Sequence, residues 1–231
     1  MPPTPDPSAG ASTVLIFAKA PVPGAAKTRL IPVLGVEGAA QLAERLIGRC
    51  VDTAVAAGVG PVELWCTPDT AHPAFRAVAA RHGVRLATQA EGDLGARLAG
   101  ALADALGRYP RALLIGTDVP SFEAADLRRA AAWLAQGQDA VLGPVEDGGY
   151  WLIGLTRPQL ALFEGIAWST GEVMAATRER LRALGLRWAE LPVRWDLDRP
   201  EDLPRLQADP RLRDLTRGQR TAEQECKDGR K

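Results

Sequence analysis

Three cations follow the first apolar run of the chain, in the stretch KAPVPGAAKTRL. Lys19 opens the stretch, and Lys27 and Arg29 stand near its end on either side of Thr28. Lysine and arginine donate charge-assisted hydrogen bonds to phosphate oxygens, and a glycine such as Gly24 lets backbone amides approach a ligand closely. The stretch therefore predicts a phosphate-binding loop. A solvated basic turn is the alternative.

Two well-known phosphate loops do not fit this stretch. The chain contains no G-x-G-x-x-G, so a Rossmann dinucleotide turn is excluded. A Walker A loop would need glycines where Pro21 and Ala26 stand. Pro21 and Pro23 instead restrict the loop's conformations before it binds a ligand, which lowers the entropy lost on binding.

Carboxylates form the second group of residues that could do chemistry. Asp118 directly follows the apolar run ALLIGT, and Asp196 and Asp198 alternate in RWDLDRPEDL. Alternate residues of an extended segment face the same way, so one of the pair would complete a Mg²⁺ or Mn²⁺ site with Asp118. Two structural roles compete with this one, namely Asp118 as the cap of a turn before Pro120 and Asp198 as the start of a helix.

A succession of strands and helices must position these residues. Apolar runs predict strands at TVLIFAK, VELWCT, VRLAT, ALLIGT, AVLGPV and YWLIGL, and helical periodicity predicts helices at 41–57, 74–81, 94–106, 123–135, 171–184 and 200–207. This alternation predicts an α/β fold whose mostly parallel sheet is covered on both faces. Ligands bind beyond the carboxyl ends of the strands in such a sheet, which is where the cationic loop and Asp118 fall.

Two further motifs lie late in the chain. EDGGYWLIGL predicts a turn at Gly148 and Gly149 and then an antiparallel strand, which makes the sheet mixed. WSTGE begins a helix, with Ser169 and Glu172 spaced as a capping box. The paired glycines would let an acceptor approach, and the helix N-terminus would bind an anion. An ordinary hairpin and an ordinary helix cap explain the same residues.

Composition limits the classes of protein. With 231 residues, 46% of them hydrophobic, the chain is long enough for one domain, which we place at 13–208 between a disordered leader at 1–12 and a polar tail at 209–231. Lys plus Arg and Asp plus Glu number 28 each, so no overall charge favours nucleic acid or an anionic membrane as a partner. The three scattered cysteines fit reduced thiols in the cytoplasm. Oligomeric state is not predicted.

Five motifs, in this order, resemble a known family. FAKAPVPGAAKTRL, GTDVP, EDGGYWLIGL, WST and DLDRPEDL, within about 14–206, resemble DUF2064, also called rSAM/selenodomain-associated transferase 1 and often labelled arsenosugar-biosynthesis glycosyltransferase. That family is similar to the nucleotide-diphospho-sugar transferase (GT-A) superfamily and related to 2-phospho-L-lactate guanylyltransferase. The resemblance implies a GT-A fold, a Rossmann-like three-layer sandwich with a mostly parallel, mixed sheet.

The resemblance also implies roles for particular residues. The metal ligands would be Asp118, Asp198 and, after them, Asp196. The catalytic groups would be Lys27, Arg29 and Asp118. The nucleotide would contact Lys19, Gly24, Lys27, Thr28, Arg29, Gln89, Asp93 and Gly95, although a plain helix N-cap explains Asp93 almost as well. The acceptor would contact Asp147, Gly148, Gly149, Tyr150, Ser169 and Thr170.

Three functions are compatible with these residues. The favoured one is metal-dependent nucleotidyl transfer, in which a nucleoside triphosphate reacts with a small phosphorylated acceptor and pyrophosphate leaves. The cationic first loop favours it, as does DVP where glycosyltransferases usually show D-x-D. Glycosyl transfer from a nucleotide-sugar to a small acceptor is the first alternative. A non-catalytic nucleotide-binding protein is the second.

Overall fold

A computed structural model describes residues 12–216 of the chain. The predicted leader, apart from Ser12, and residues 217–231 of the predicted tail lie outside the described residues. Within the described range, strands and helices alternate along the chain, as the apolar runs and the helical periodicity predict.

Seven strands of the described range form one sheet. In chain order they are β1 (Thr13–Lys19), β2 (Val62–Thr67), β3 (Arg85–Thr88), β4 (Ala112–Ile115), β5 (Ala140–Pro144), β6 (Tyr150–Leu155) and β7 (Trp188–Glu190). Their order across the sheet is β3-β2-β1-β4-β6-β5-β7, and β6 runs antiparallel to its neighbours β4 and β5. The predicted mostly parallel, mixed sheet is confirmed.

Six α-helices of the described range cover the two faces of this sheet. They are α1 (Ile31–Ala57), α2 (Pro73–His82), α3 (Leu94–Leu106), α4 (Ala124–Ala135), α5 (Val173–Ala183) and α6 (Leu203–Ala208). One core joins Ile16 of β1 to α1, α2 and α4, and a second joins Leu15 to α3 and α5. Successive strand residues face opposite sides, so a strand buried on both faces is apolar throughout.

The central strands place two of the predicted site segments side by side. β1 pairs in parallel with β4, with Ile16 opposite Ile115. The chain therefore leaves β1 at Lys19 and β4 just before Asp118 on the same edge of the sheet. This is the carboxyl edge, where open parallel sheets bind their ligands.

Two elements differ from the sequence prediction. Helix α1 begins at Ile31 rather than at residue 41, with Pro32 in its first turn and a kink at Gly35, whose φ of 69° and ψ of 171° are not helical. The kink separates a short first turn from the long periodic part, and the periodicity detected only the latter. Strand β7 was not predicted, because three half-buried residues make no apolar run.

A third, smaller core extends the packed region beyond the predicted end of the domain. Leu197 and Leu206 pack there against Leu30 of the cationic loop, together with Leu212 and Leu215. The last two are buried although residues 209–231 were predicted to be a polar tail. These two leucines, three residues apart, pack the segment through residue 216 against α1 and α6, and the surrounding charges hide this pattern in the sequence.

No helix within residues 12–216 combines the length and the apolar character that crossing a membrane requires.

Candidate functional site

The cationic loop turns sharply after β1. Gly24 has a φ of +80°, and Lys27 has a φ of 47°, the left-handed conformation that non-glycine residues rarely adopt. The Lys19 ammonium donates to the Ala25 carbonyl at 2.9 Å, which fastens the loop to the end of β1. Residues Thr28–Leu30 then form one turn of 3₁₀ helix that leads into α1.

Lys27 connects the loop to both acidic segments. Its ammonium lies 2.5 Å from the Asp118 carboxylate and donates to the Leu197 carbonyl, also at 2.5 Å. The Leu197 amide in turn donates to the Asp118 carbonyl at 2.7 Å. Three segments that are distant in sequence therefore meet around the Lys27 ammonium group. The Lys27 side chain is only 8% exposed, whereas that of Asp118 is 61% exposed.

A second ion pair lies at the surface. Arg29 donates to the Asp198 carboxylate, and the two side chains are 65% and 36% exposed. Asp198 does not cap the helix that follows, contrary to the alternative considered from the sequence. The Asp202 carboxylate does this instead, accepting the backbone N–H groups of Asp198 and Arg199 at 3.0 and 2.8 Å. The Asp198 carboxylate therefore accepts no hydrogen bond from the start of this helix.

These groups line one cleft of about 600 Å³ at the carboxyl edge of the sheet. Eight of the residues predicted to act are in its lining, namely Lys19, Lys27, Thr28, Arg29, Gln89, Asp118, Tyr150 and Asp198. Apolar side chains complete the wall, among them Phe17, Leu94 and Leu98. A cleft with convergent charges and apolar walls is the usual form of a small-molecule site.

The other predicted site residues do not line the cleft. They are Gly24, Asp93, Gly95, Asp147, Gly148, Gly149, Ser169, Thr170 and Asp196. Gly24 serves the loop's turn, as its positive φ shows. Several of the remaining residues make contacts with other parts of the fold.

Asp93 and Gly95 serve the start of α3. The Asp93 carboxylate accepts the Ala96 N–H at 2.8 Å, so the N-cap alternative is confirmed. Gly95 lies under Trp168, and a Cβ there would be 2.6 Å from the indole nitrogen of Trp168. The contact with Trp168 explains why a glycine stands at position 95, and the predicted nucleotide contact of Gly95 stays a prediction.

The turn that carries the predicted acceptor residues Asp147, Gly148 and Gly149 lies against the segment that leads into α5. A Cβ on Gly148 would lie 2.0 Å from the Gly171 carbonyl oxygen, and the Gly148 carbonyl accepts the Met174 N–H at 2.8 Å. The hairpin turn is thus packed against the start of α5. The predicted capping box is wrong, because Ser169 has a φ of 64° and α5 begins only at Val173 without a side-chain cap.

Asp196 does not share the cleft with Asp118 and Asp198. Its side chain is not in the cleft lining. Burial, and then the nearby Asp147 carboxylate, raise the pKa of Asp196 above its usual value. The cleft lining therefore contains Asp118 and Asp198 without Asp196, while Leu197 between the two aspartates is buried in the leucine core.

Arg97 is a cleft residue that the sequence analysis missed. It lies on the first turn of α3, and its guanidinium donates to the Gln89 side-chain oxygen at 3.2 Å. The Gln89 amide nitrogen donates in turn to the Trp65 carbonyl at 2.9 Å. Gln89 is therefore a buried support for Arg97. A cation in the first turn of a helix opposes the helix dipole, and this is the signal in the sequence that could have found it.

The carboxylates fit a divalent cation only in combination with a ligand. Within the described range, no group of three His, Cys, Asp or Glu side chains is arranged to hold a metal ion. Mg²⁺ commonly binds through one or two carboxylates, and substrate phosphates and water complete its octahedron. Asp118 and Asp198, both in the cleft lining, are a donor set of that kind. Asp196 is not part of it.

Cys50 lies beneath the Asp118 loop, with its sulfur 3.9 Å from the Gly116 carbonyl oxygen. Burial raises the pKa of the Cys50 thiol to about 12, and the Asp118 charge adds to the effect. A thiol of this kind is not a nucleophile at neutral pH.

The chain belongs to the family described as uncharacterized proteins conserved in bacteria (DUF2064), whose model matches residues 50–170, a little over half of the sequence. A search of curated proteins finds no match. The predicted family is therefore confirmed by the family model, and the remaining comparisons are with solved structures.

Three solved structures are examples of proteins with a similar fold. A candidate nucleotide-diphospho-sugar transferase from Desulfovibrio desulfuricans G20 is 28% identical, with a TM-score of 0.79 and 95% of each chain covered. Rv0371c from Mycobacterium tuberculosis H37Rv is 21% identical, with a TM-score of 0.56, 87% of this chain and 99% of that one. Glucosyl-3-phosphoglycerate synthase from M. tuberculosis is 12% identical, with a TM-score of 0.53, and the match covers 91% of this chain and 77% of that one.

The fold and the family together define the class of protein. The sheet, the helices on both faces and the similar structures are those of the nucleotide-diphospho-sugar transferases of GT-A type, as the sequence predicted. The chain is an enzyme of the transferase class.

Proposed function

We propose that the protein is a metal-dependent nucleotidyltransferase that joins a nucleoside triphosphate to a small phosphorylated acceptor and releases pyrophosphate. One observation carries the proposal. Cations of the loop after β1 form ion pairs with carboxylates from two distant segments, after β4 and after β7, in the lining of a single cleft. A metal-bound polyphosphate is the ligand whose charges match both groups, because its oxygens bind the cations while its metal binds the carboxylates.

Asp118 and Asp198 would hold Mg²⁺ or Mn²⁺. Both side chains are partly exposed in the cleft, so they are accessible to a hydrated metal–nucleotide complex. When bound, the metal supplies neutralisation of phosphate charge and alignment of the reacting oxygens. The other groups that would bind and orient the substrates are side chains and backbone groups of the protein.

The two cations have different duties. Arg29, whose side chain is 65% exposed, is free to leave Asp198 and donate two hydrogen bonds to phosphate oxygens. Lys27 is nearly buried between the Asp118 carboxylate and the Leu197 carbonyl, so it holds Asp118 in place and contributes a fixed positive charge. Such preorganised charge is what stabilises the transition state of phosphoryl-type transfer.

The reaction needs no covalent enzyme intermediate. An acceptor phosphate oxygen forms a bond to the α-phosphorus, and the bond from the α-phosphorus to the bridging oxygen of pyrophosphate breaks. Arg97 and Gln89 lie on the β2–β3 side of the cleft and Tyr150 on the β6 side. We place the nucleoside on the first side and the acceptor on the second, with Asp147, Ser169 and Thr170 at its outer margin.

Similar structures support metal and nucleotide binding at this fold. Rv0371c has been solved with manganese, and the synthetase for CMP-2-keto-3-deoxy-manno-octonic acid has been solved with CTP. Their identity to this chain is 21% and 13%, so they support the type of ligand and not its base or acceptor. The proposal further places the reaction in the cytoplasm and in a single domain.

Pyrophosphate release tests the proposal. The purified chain is incubated with each common nucleoside triphosphate, with Mg²⁺ or Mn²⁺, and with a panel of small phosphorylated acceptors. We expect pyrophosphate to appear only when metal, one triphosphate and an acceptor are all present. Asp118→Asn should lower the rate at least about 100-fold, as is typical when a group that stabilises transition-state charge is removed. A rate unchanged by Asp118→Asn would overturn the role of Asp118, whereas nucleotide binding without any released product would leave a non-catalytic nucleotide-binding protein as the explanation.

Glycosyl transfer is the second candidate. The similar chain from D. desulfuricans G20, a candidate nucleotide-diphospho-sugar transferase, favours it, because it is 28% identical over 95% of both chains. In that case a nucleotide-sugar would occupy the same cleft and a nucleoside diphosphate would be released. Assaying the two products side by side, pyrophosphate against nucleoside diphosphate, decides between the candidates.

A further inference from the structure

Arg194 connects the acidic segment to two other parts of the carboxyl edge. Its guanidinium donates to the Asp126 carboxylate at 2.6 Å and to the Ser121 carbonyl at 2.8 Å. Asp126 lies in the first turn of α4, and Ser121 lies in the loop that carries Asp118. The Arg194 side chain is 22% exposed and that of Asp126 is 9% exposed, so the ion pair is largely buried.

The backbone of Arg194 is fixed as well. Its N–H donates to the Pro144 carbonyl and its carbonyl accepts the Glu146 N–H, both at 3.0 Å. Residues 192–199 otherwise form no helix and no named strand. The course of the chain toward Asp198 is therefore set by these contacts and by the Leu197 contacts to Asp118 and Lys27.

A purely structural reason for this ion pair is weak. Buried ion pairs cost desolvation, and apolar pairs of similar size often stabilise a protein equally well. Here the cost is not fully offset, because the Arg194 Nε and the Ser121 hydroxyl are buried without a hydrogen-bond partner among the described residues. The contacts of Arg194 do link the segment of Asp198 to the loop of Asp118 and to α4.

We propose that Arg194 and Asp126 are positioning residues for the metal site, an inference that rests on the proposed function. They set the separation of the Asp118 and Asp198 carboxylates so that both reach one metal ion on a nucleotide. Neither residue touches the ligand, since neither lines the cleft. Groups that orient metal ligands typically change metal affinity or activity by about 10–100-fold when they are replaced.

The decisive variant neutralises both partners. Arg194→Met alone leaves the Asp126 carboxylate buried without its partner and should lower the melting temperature. Adding Asp126→Asn removes that charge. The Asn side chain keeps an oxygen that can accept the Glu123 N–H, which donates to Asp126 at 2.8 Å in the wild type. The double variant should regain most of the lost melting temperature. Its affinity for Mn²⁺, titrated by calorimetry with the triphosphate that binds the wild type most tightly, should stay about tenfold weaker.

A matched control and a milder variant complete the test. Arg178 and Glu190 form a similar ion pair on α5 and β7, at 2.7 Å, outside the cleft lining. Arg178→Met with Glu190→Gln should leave Mn²⁺ affinity unchanged. Asp126→Asn alone, which keeps a weaker hydrogen bond to Arg194, should fold normally and show a smaller loss of Mn²⁺ affinity than the double variant.

The outcomes separate this inference from the proposed function. Wild-type Mn²⁺ affinity in both Asp126→Asn and the double variant would overturn the positioning role and leave the proposed function intact. A wild-type chain that binds neither metal nor triphosphate would overturn both. A double-mutant cycle gives further support if Asp198→Asn abolishes the effect of the double variant, because the pair would then act only through Asp198.

Discussion

The inner and outer parts of the cleft each contain one ion pair between the cationic loop and an acidic segment, and the two pairs differ in burial. Lys27, in the inner part, is 8% exposed and touches both Asp118 and the Leu197 carbonyl. Arg29, in the outer part, is 65% exposed and touches Asp198. Two cations only two residues apart in sequence therefore experience very different surroundings.

This difference implies a division of labour. An exposed ion pair adds little to stability, so Arg29 can exchange Asp198 for a phosphate at small cost. Removing Lys27 would leave the buried Leu197 carbonyl without its donor, a loss that affects folding as well as binding. The inner pair assembles the cleft, and the outer pair is available to the ligand. Two variants test this comparison directly, and two more test which residues lie outside the cleft.

Lys27→Met should have the largest effect. We expect the pyrophosphate-release rate to fall at least about 100-fold, because a preorganised positive charge is lost and Asp118 is no longer held. Stability should fall by about 1–3 kcal/mol, the cost of leaving a buried polar group unpaired. Urea unfolding and steady-state kinetics measure the two effects. Loss of activity with unchanged stability would remove the assembling role of the inner pair.

Arg29→Ala should affect binding without affecting folding. The Michaelis constant for the triphosphate should rise about 10–100-fold, the equivalent of one or two charge-assisted hydrogen bonds. The free energy of unfolding should change by less than about 1 kcal/mol, as expected for an exposed pair. Arg213→Ala, at an exposed position of the C-terminal 3₁₀ turn, is the control. If Arg29→Ala destabilised the chain as much as Lys27→Met, the distinction between inner and outer pairs would be lost.

Gly95→Ala defines where the cleft ends and packing begins. A methyl group there would lie 2.6 Å from the Trp168 indole nitrogen, so we expect a loss of about 1–3 kcal/mol in stability, as for other overpacked sites. Gly100→Ala, in the same helix with nothing within 4 Å of the new Cβ, should instead stabilise by up to about 1 kcal/mol. Thermal unfolding of both variants checks this. Triphosphate affinity should be similar in the two variants. A loss of affinity in Gly95→Ala alone would support the prediction that the nucleotide contacts Gly95.

Asp196→Asn should have the smallest effect and depends on pH. Burial and Asp147 raise the pKa of Asp196 in the folded state, so the ionised carboxylate is less favourable there than in the unfolded chain. This cost is absent when the pH is below the pKa that Asp196 has in the unfolded chain. The cost grows as the pH rises from that value to the raised pKa of Asp196 in the folded chain. Asp196→Asn should therefore raise the melting temperature slightly at pH 7, with a gain that shrinks toward pH 4. A constant gain across this range would contradict the assignment.

Residues at strand ends could be predicted better than residues that act through long-range contacts. Lys27, Arg29 and Asp118 were recognisable because each follows an apolar run, and the carboxyl ends of parallel strands share one edge. Arg97 and Arg194 were missed because their significance depends on side-chain contacts with Gln89 and Asp126, which residue spacing does not show. The packing of Trp168 on Gly95 and of Gly171 on Gly148 likewise depends on contacts that the residue types alone do not show.

The sequence by itself determined the alternation of strands and helices, the mixed sheet and the edge at which the charged residues collect, because each of these depends on local periodicity and on chain direction. The tertiary structure alone decided which cation is buried, which carboxylate enters the cleft and which glycine makes room for a tryptophan. Those outcomes depend on the direction of side chains and on the distances between segments far apart in the chain, and neither is encoded in the spacing of residues along it.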